Sequence, residues 1–305
     1  FGTAISLGIG ALQITEGTEV VTGIQELGTL FIVVTMFVLT CAFITSAVSG
    51  VSRGIRILSN TNMVIAGLLA LLVLITGPTL YLFNFYPAAI LSFFRELGTM
   101  LVRNANEGPE TAKFMASWTT YYWAWWVTWA PFVGLFIAKI SRGRTLREFV
   151  TVVVLIPALV CITWFVIFGG TSMYMTMHDM GVSASQAPEA LLFSVLRNLP
   201  LASITPYLAM FSILVFFVTS ADSASIVMSS MTQRGQPEPS ISVTITWGVL
   251  LGLTAISLLL AGGENALSGL QSIMVVSALP FAVVLMGIMA AWAKDLHTDP
   301  YIMRS

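Results

Sequence analysis

The sequence carries very little charge for its length. Only 9% of its 305 residues are Asp, Glu, Lys or Arg, whereas 57% are hydrophobic; soluble globular domains contain roughly 25% charged residues. So few charges cannot cover a folded surface with groups that water solvates, and we therefore expect a polytopic membrane protein in a lipid bilayer. The formal net charge of −1 also argues against nucleic acid as a partner.

Cysteine and histidine are scarce too, with two of each. Cys41 and Cys161 lie inside apolar runs and are predicted to be small core residues. Without HExxH or CxxC spacing, a transition-metal site is not expected. An intramembrane enzyme needs a nucleophile with a base, or metal ligands, at membrane depth. Asp222 is the only acid well inside a predicted span, so we predict a protein that is not an enzyme and has no cofactor.

Seven apolar runs, each with at most one charged residue, are long enough to cross a bilayer as helices of about 20 residues, which predicts an all-α fold. They lie near 28–48, 63–84, 118–140, 149–169, 204–229, 241–262 and 271–293. Residues 1–12 are apolar but would rise only about 18 Å as a helix. We therefore expect the chain to begin within a helix and to be a fragment of a longer protein.

The loops between these runs differ in their positive charge. Nine of the 13 Lys and Arg residues fall in alternate loops, which all lie on the same side of the membrane. The excess of positive charge assigns that side to the cytoplasm. On the outer side, residues 88–103 alternate apolar and charged positions and predict an amphipathic surface helix. Residues 171–200 contain both polar and apolar residues and are predicted to form an external segment.

Five of the eight tryptophans lie within a stripe at residues 118–129. As a helix this stripe is about 16 Å long, deeper than the single turn of an interfacial aromatic belt. The faces of aromatic rings attract quaternary ammonium groups, by up to about 2 kcal/mol for each contact once water is excluded. Composition alone supports a cation cage and an interfacial belt equally.

A hydroxyl cluster occupies residues 212–225 in an otherwise apolar span. Phe216, Thr219, Ser220 and Ser223 share one helix face, and hydroxyl and carbonyl oxygens suit a monovalent cation that sheds water. Ordinary packing of small hydroxyl residues between helices produces the same pattern, and the residues alone favour that explanation. Asp222 lies near the cytoplasmic end, where we expect it to cap or to pair.

The tryptophan-rich stretch at 118–134, continuing through 136–145, closely resembles the signature of the betaine/choline/carnitine transporter family. Further segments are similar to that family at 6–13, 77–79, 168–171 and 219–223, so the resemblance covers essentially the whole chain. It implies a LeuT-type fold of two inverted five-helix repeats around a midplane site. On that basis residues 1–84 end the first repeat, 85–113 are an external amphipathic connector, 114–293 form the second repeat, and 294–305 are a short cytoplasmic tail.

The resemblance also implies the residues of the sites. The cage tryptophan is Trp126, and the further substrate-binding residues beside it are Trp123, Trp125 and Trp129. The first sodium site is formed by the side-chain oxygens of Thr219 and Ser220 and by the backbone carbonyl of Phe216. A second sodium site is suggested by Thr3 with Phe132. Pro131 and Trp129 favour the sodium-coupled branch over exchangers that carry a methionine in the sodium region.

The function implied is import of glycine betaine or a similar quaternary ammonium solute by sodium symport, for osmoprotection, across the bacterial cytoplasmic (inner) membrane. Trimers are common in that family, so a homotrimer is suggested. A sodium-independent exchanger, a proton-coupled choline transporter and a passive channel are alternatives that the sodium dependence of uptake separates. A membrane sensor, the distant alternative, would bind the solute without moving it.

Overall fold

The computed structural model describes residues 2–24, 27–49, 52–141, 143–183, 185–236, 238–262 and 266–298. Helices account for most of these residues, and no strand occurs within the described ranges. The prediction of an all-α chain is confirmed. A few helical residues, Phe132 among them, have side chains outside this description.

The helices follow one another with short connections. In chain order they are α1 Gly2–Thr22, α2 Thr29–Ser49, α3 Ser52–Thr76, α4 Thr79–Val102, α5 Pro109–Phe114, α6 Tyr121–Ile140, α7 Leu146–Trp164, α8 Gly170–Met177, α9 Leu191–Arg197, α10 Thr205–Thr232, α11 Ile241–Gly262 and α12 Ala266–Thr298. A short 3₁₀ helix occupies Ala105–Glu107. One π-helical turn, Met115–Thr120, precedes α6, and another, Phe165–Gly169, joins α7 to α8.

Six helical stretches in the described ranges are long and apolar enough to cross a membrane. They are 29–49, 56–76, 146–177, 205–232, 241–261 and 271–298. These stretches confirm a multi-pass membrane protein. The predicted span at 118–140 is helical as well, through the π turn at Met115–Thr120 and α6. It is not among the six.

The predicted span at 63–84 is wrong in its bounds, because α3 ends at Thr76 and a new helix begins at Thr79. Gly77 and Pro78 separate the two. Proline has no N–H to donate and disfavours helical backbone in the residue before it. The Thr79 hydroxyl donates to the Leu74 carbonyl at 2.7 Å, which satisfies a carbonyl at the end of α3. Consequently α4 includes the predicted amphipathic segment but begins well before it.

Two other predictions change. The span at 149–169 extends to 146–177, since α7 begins after Thr145, whose hydroxyl accepts from the Glu148 N–H, and the helix continues through the π turn. Cys41 and Cys161 are exposed and not buried core residues. The reason is that a membrane protein presents apolar side chains to lipid as readily as to its own interior.

The chain divides into two compact units. One comprises residues 6–103 and 143–256, and in it α10 packs against α2, α3 and α9. Its buried core includes Val73, Met175, Phe193 and Leu196. The other comprises residues 1–5, 104–142 and 257–305, and in it α6 packs along α12.

Within the first of these units, glycines let α1 approach its neighbours closely. A Cβ atom at Gly10 would lie 2.4 Å from ring carbons of Phe217 on α10. A Cβ atom at Gly17 would lie 2.4 Å from Cζ of Phe193 on α9. Both rings are buried, so they have little room to move. Small residues at helix contacts are the usual way to bring helices together in a membrane.

We predict that Gly10→Ala destabilises the protein, because the added methyl group overlaps the Phe217 ring. The expected loss in the free energy of unfolding is about 1–3 kcal/mol, seen as a lower midpoint of thermal unfolding in detergent. The control is Gly67→Ala on α3, where an added Cβ meets nothing within 4 Å and alanine favours the helix. Equal effects of the two substitutions would contradict this account.

Candidate functional site

The tryptophan stripe straddles the π turn at Met115–Thr120 and the first half of α6. Its rings contact one another. The centroids of Tyr122 and Trp125 are 5.9 Å apart, and those of Trp118 and Tyr122 are 6.0 Å apart with nearly parallel planes. Aromatic residues three or four positions apart in the stripe therefore bring their rings together. A π turn adds a residue to the helix and occurs frequently at functional sites.

The structure divides this stripe into two faces. One face packs inside the unit: Tyr121 is only 3% exposed, and Trp125 and Trp129 are partly buried. The other face is open, with Trp123 70% and Trp126 66% exposed. The rings of Tyr121 and Trp125 are 5.7 Å apart. Part of the stripe therefore holds α6 in place, while Trp126 presents its ring to whatever lies beside the helix.

The packed face is held against α12 and the start of α1. The Thr128 hydroxyl donates to the Trp125 carbonyl at 2.8 Å and lies 3.3 Å from Sδ of the buried Met274. A Cβ atom at Gly2 would lie 2.9 Å from Oγ1 of Thr128 and 3.1 Å from Nε1 of Trp129. These contacts set the rotation of α6 and so determine which tryptophans remain open.

The predicted sodium ligands Phe216, Thr219 and Ser220 lie on one stretch of α10. Thr219 donates its hydroxyl proton to the carbonyl oxygens of Val215 and Phe216, at 2.9 and 3.1 Å. An O–H that donates inward along the helix leaves the lone pairs of its oxygen for an outside cation. The Phe216 carbonyl already accepts from Thr219 and, within the helix, from the N–H four residues later, so the Thr219 hydroxyl is the more available oxygen. The arrangement therefore suits a monovalent cation, for which a single helix supplies part of the coordination.

The cluster faces away from the packed side of α10. Phe216 and Ser223 are exposed and Thr219 and Ser220 are partly buried, whereas Val215 and Ala221 are buried. Helix packing within the described part of the chain consequently does not account for these hydroxyl groups. The role of Thr219 and Ser220 in sodium binding remains a prediction.

The predicted second sodium site pairs Thr3 with Phe132. Thr3 lies at the start of α1, next to Gly2, which contacts Thr128 one turn before Phe132. The side chain of Phe132 lies outside the described residues, and the pairing remains a prediction.

Asp222 pairs with another helix and does not cap its own. It is 1% exposed, and its Oδ2 accepts a hydrogen bond from the Ser46 hydroxyl of α2 at 3.0 Å. Its other oxygen, Oδ1, has no hydrogen-bond partner in the described ranges. Sequence reasoning did not single out Ser46, nor Asn62, whose Oδ1 accepts from Ser212 at 2.6 Å. Both are polar residues in or beside apolar runs, which is the signal that could have found them.

This geometry defines a helical membrane protein with open aromatic rings on one helix and outward-facing oxygen atoms on another. The profile of the BCCT, betaine/carnitine/choline family transporters, matches residues 1–301. The chain belongs to this family.

Similar proteins carry related names. The betaine/ectoine transporter LcoP of Corynebacterium glutamicum is 46% identical over 100% of this chain and 48% of its own length. The glycine betaine transporter OpuD of Bacillus subtilis is 40% identical over 98% of this chain and 57% of its own length. A glycine betaine/proline/choline transporter of Vibrio parahaemolyticus is 35% identical over 98% of this chain and 53% of its own length. The chain thus spans about half the length of the curated relatives it matches.

We predict that Ser46→Ala destabilises the packing of α2 on α10, because the buried Asp222 carboxyl loses its described partner. The expected loss is about 1–3 kcal/mol in the free energy of unfolding, measured by thermal unfolding in detergent. Ser49→Ala is the control, since that exposed hydroxyl donates only to the Ser46 carbonyl of its own helix. If Ser46→Ala costs as much in an Asp222→Leu background, which has no acceptor for the Ser46 hydroxyl, as in the parent, the two residues are not coupled.

Proposed function

We propose that the whole protein containing this chain is a secondary transporter that imports a quaternary ammonium solute, glycine betaine or a similar compound, by sodium symport. The proposed location is the bacterial cytoplasmic (inner) membrane, and the proposed role is osmoprotection. Membership of the BCCT family and the names of the relatives support transport of this class of solute.

The observation that carries the proposal is the open ring of Trp126. A quaternary ammonium group has no N–H to donate, so hydrogen-bond acceptors hold it weakly. The face of an indole ring attracts it through the ring quadrupole, and more strongly once water is excluded. Trp126 exposes two thirds of its surface in the described chain, although apolar and aromatic residues surround it in sequence. An aromatic ring held open in this way is available to a cation.

Sodium coupling is supported by the oxygen atoms of Phe216, Thr219 and Ser220. A positive charge moving inward gains about 2.3 kcal/mol for each 100 mV, and tenfold accumulation costs about 1.4 kcal/mol. Two sodium ions at 100 mV would then support roughly three decades of solute accumulation. Symport with two ions is therefore sufficient for an osmoprotectant importer.

We predict that Trp126→Leu abolishes uptake of labelled glycine betaine by proteoliposomes that contain the whole protein and carry an inward sodium gradient. Leucine keeps the site apolar but removes the ring face that attracts the cation. Trp164→Leu on α7 is the control, since Trp164 is also an exposed tryptophan but lies outside the stripe. Full uptake by Trp126→Leu would show that the stripe is structural. No uptake of any quaternary amine by the parent would reject the proposed substrate.

We predict that Thr219→Val raises the sodium concentration needed for half-maximal uptake roughly tenfold. Valine has nearly the shape of threonine but supplies no oxygen to a cation. The control is Thr246→Val on α11, where the threonine is exposed and, like Thr219, donates to its own helix, at 2.9 Å from the Ser242 carbonyl. If uptake by the parent does not depend on sodium, an exchanger or a proton-coupled transporter is favoured instead.

A further inference from the structure

A cavity of about 520 Å³ lies where the end of α1 meets the segment around α9. It belongs to the unit formed by residues 6–103 and 143–256. Its lining is mostly polar and consists of Glu16, Glu19, Val20, Gly23, Gly181, Gln186, Ser194, Arg197 and Asn198. The loop charges assign both segments to the outer side of the membrane. The volume is within the usual range for small-molecule sites, about 300–1,000 Å³.

Charges of opposite sign line this cavity without pairing to each other. Within the described residues, no ion pair joins Arg197 to Glu16 or to Glu19. Instead, Arg197 and Glu19 each bond to the backbone. The Arg197 guanidinium donates to the Val20 carbonyl, and Glu19 Oε1 accepts from the Leu27 N–H at 2.7 Å. A guanidinium and two carboxylates therefore face the same space at separate positions.

Among the described residues, no Lys or Arg forms an ion pair with the carboxylates of this cavity. Burial, followed by the neighbouring carboxylates Glu19 and Glu189, raises the pKa of the Glu16 carboxyl. Gln186 contributes a buried Oε1 that has no hydrogen-bond partner in the part of the chain that the structure describes. A cationic group beside Glu16 would relieve the repulsion between these carboxylates.

A metal ion does not fit this lining. No three His, Cys, Asp or Glu side chains of the described ranges lie close enough together to hold one. The opposite side of the cavity presents Arg197, with the Asn198 amide beside it. The Asn198 amide nitrogen donates to the Ser194 carbonyl at 2.8 Å and to the Gly181 carbonyl at 3.5 Å, so the guanidinium of Arg197 supplies the N–H donors on this side. A guanidinium suits a carboxylate, to which it donates two parallel hydrogen bonds.

We propose that this cavity is an outer binding site for a small zwitterion, whose cationic end lies by Glu16 and Glu19 and whose carboxylate lies by Arg197. The site shares no residue with the aromatic stripe and would collect solute on the outer face. It rests on the proposed function only for the choice of glycine betaine as the probe.

The test measures binding of labelled glycine betaine by equilibrium dialysis, with the whole protein purified as Trp126→Leu so that the stripe no longer contributes. We expect saturable binding to remain, and to weaken roughly tenfold on adding Glu16→Gln or Arg197→Lys. Glu16→Gln keeps the shape of the side chain, and Arg197→Lys keeps its charge but not its fork of N–H groups. Glu110→Gln and Arg95→Gln, both at exposed positions, should leave binding unchanged.

Choline provides a second arm, because it has the same cationic end without the carboxylate. It should bind the Trp126→Leu protein at least roughly tenfold more weakly than glycine betaine. The proposal is overturned if no saturable binding remains, if choline binds as tightly, or if both cavity variants bind like their parent. Uptake without residual binding would reject the cavity alone, whereas residual binding without uptake would reject only the transport function.

Discussion

The constraint on which this structure depends is that lipid offers no hydrogen bonds. Every polar group in a membrane-spanning helix must find its partner within the protein or in a bound ligand. In α10, Thr219 and Ser225 meet this requirement by donating to carbonyls of their own helix. Asp222 meets it for one oxygen through Ser46 of α2. The polar side chains of this helix thus determine which neighbour it packs against and which hydroxyl groups lie on its open face.

Close packing supplies the second requirement, since association of helices in lipid gains little from the hydrophobic effect. Glycines allow α1 to approach Phe217 and Phe193, and others allow α11 to approach α2, where a Cβ atom at Gly252 would lie 2.5 Å from Thr40. These contacts fix the rotation of each helix about its axis. That rotation determines which side chains of a polar or aromatic segment are packed and which are open.

The sequence predicted the fold class and most of the helices because long charge-free runs have few alternatives in a bilayer. Helix ends were predicted less well. Pro78 marks the break after Thr76, yet the apolar run continues across it. Hydropathy alone therefore placed the second predicted span, 63–84, too far toward the C-terminus. The extension of the fourth span to Met177 escaped prediction because its later residues are polar enough to resemble a loop.

By itself, the sequence determined the solvent, the approximate positions of the membrane-spanning segments and, through the tryptophan-rich signature, the transporter family. These properties depend on the amino-acid composition and on the order of residues within short segments. Only the tertiary structure decided that Trp126 is open while Tyr121 is packed, that Asp222 is bound by Ser46, and that Glu16 and Arg197 line one cavity. Asp222 and Ser46, like Glu16 and Arg197, are far apart in the chain, and only the packing of whole helices determines whether they meet; the same packing determines which side of α6 is buried.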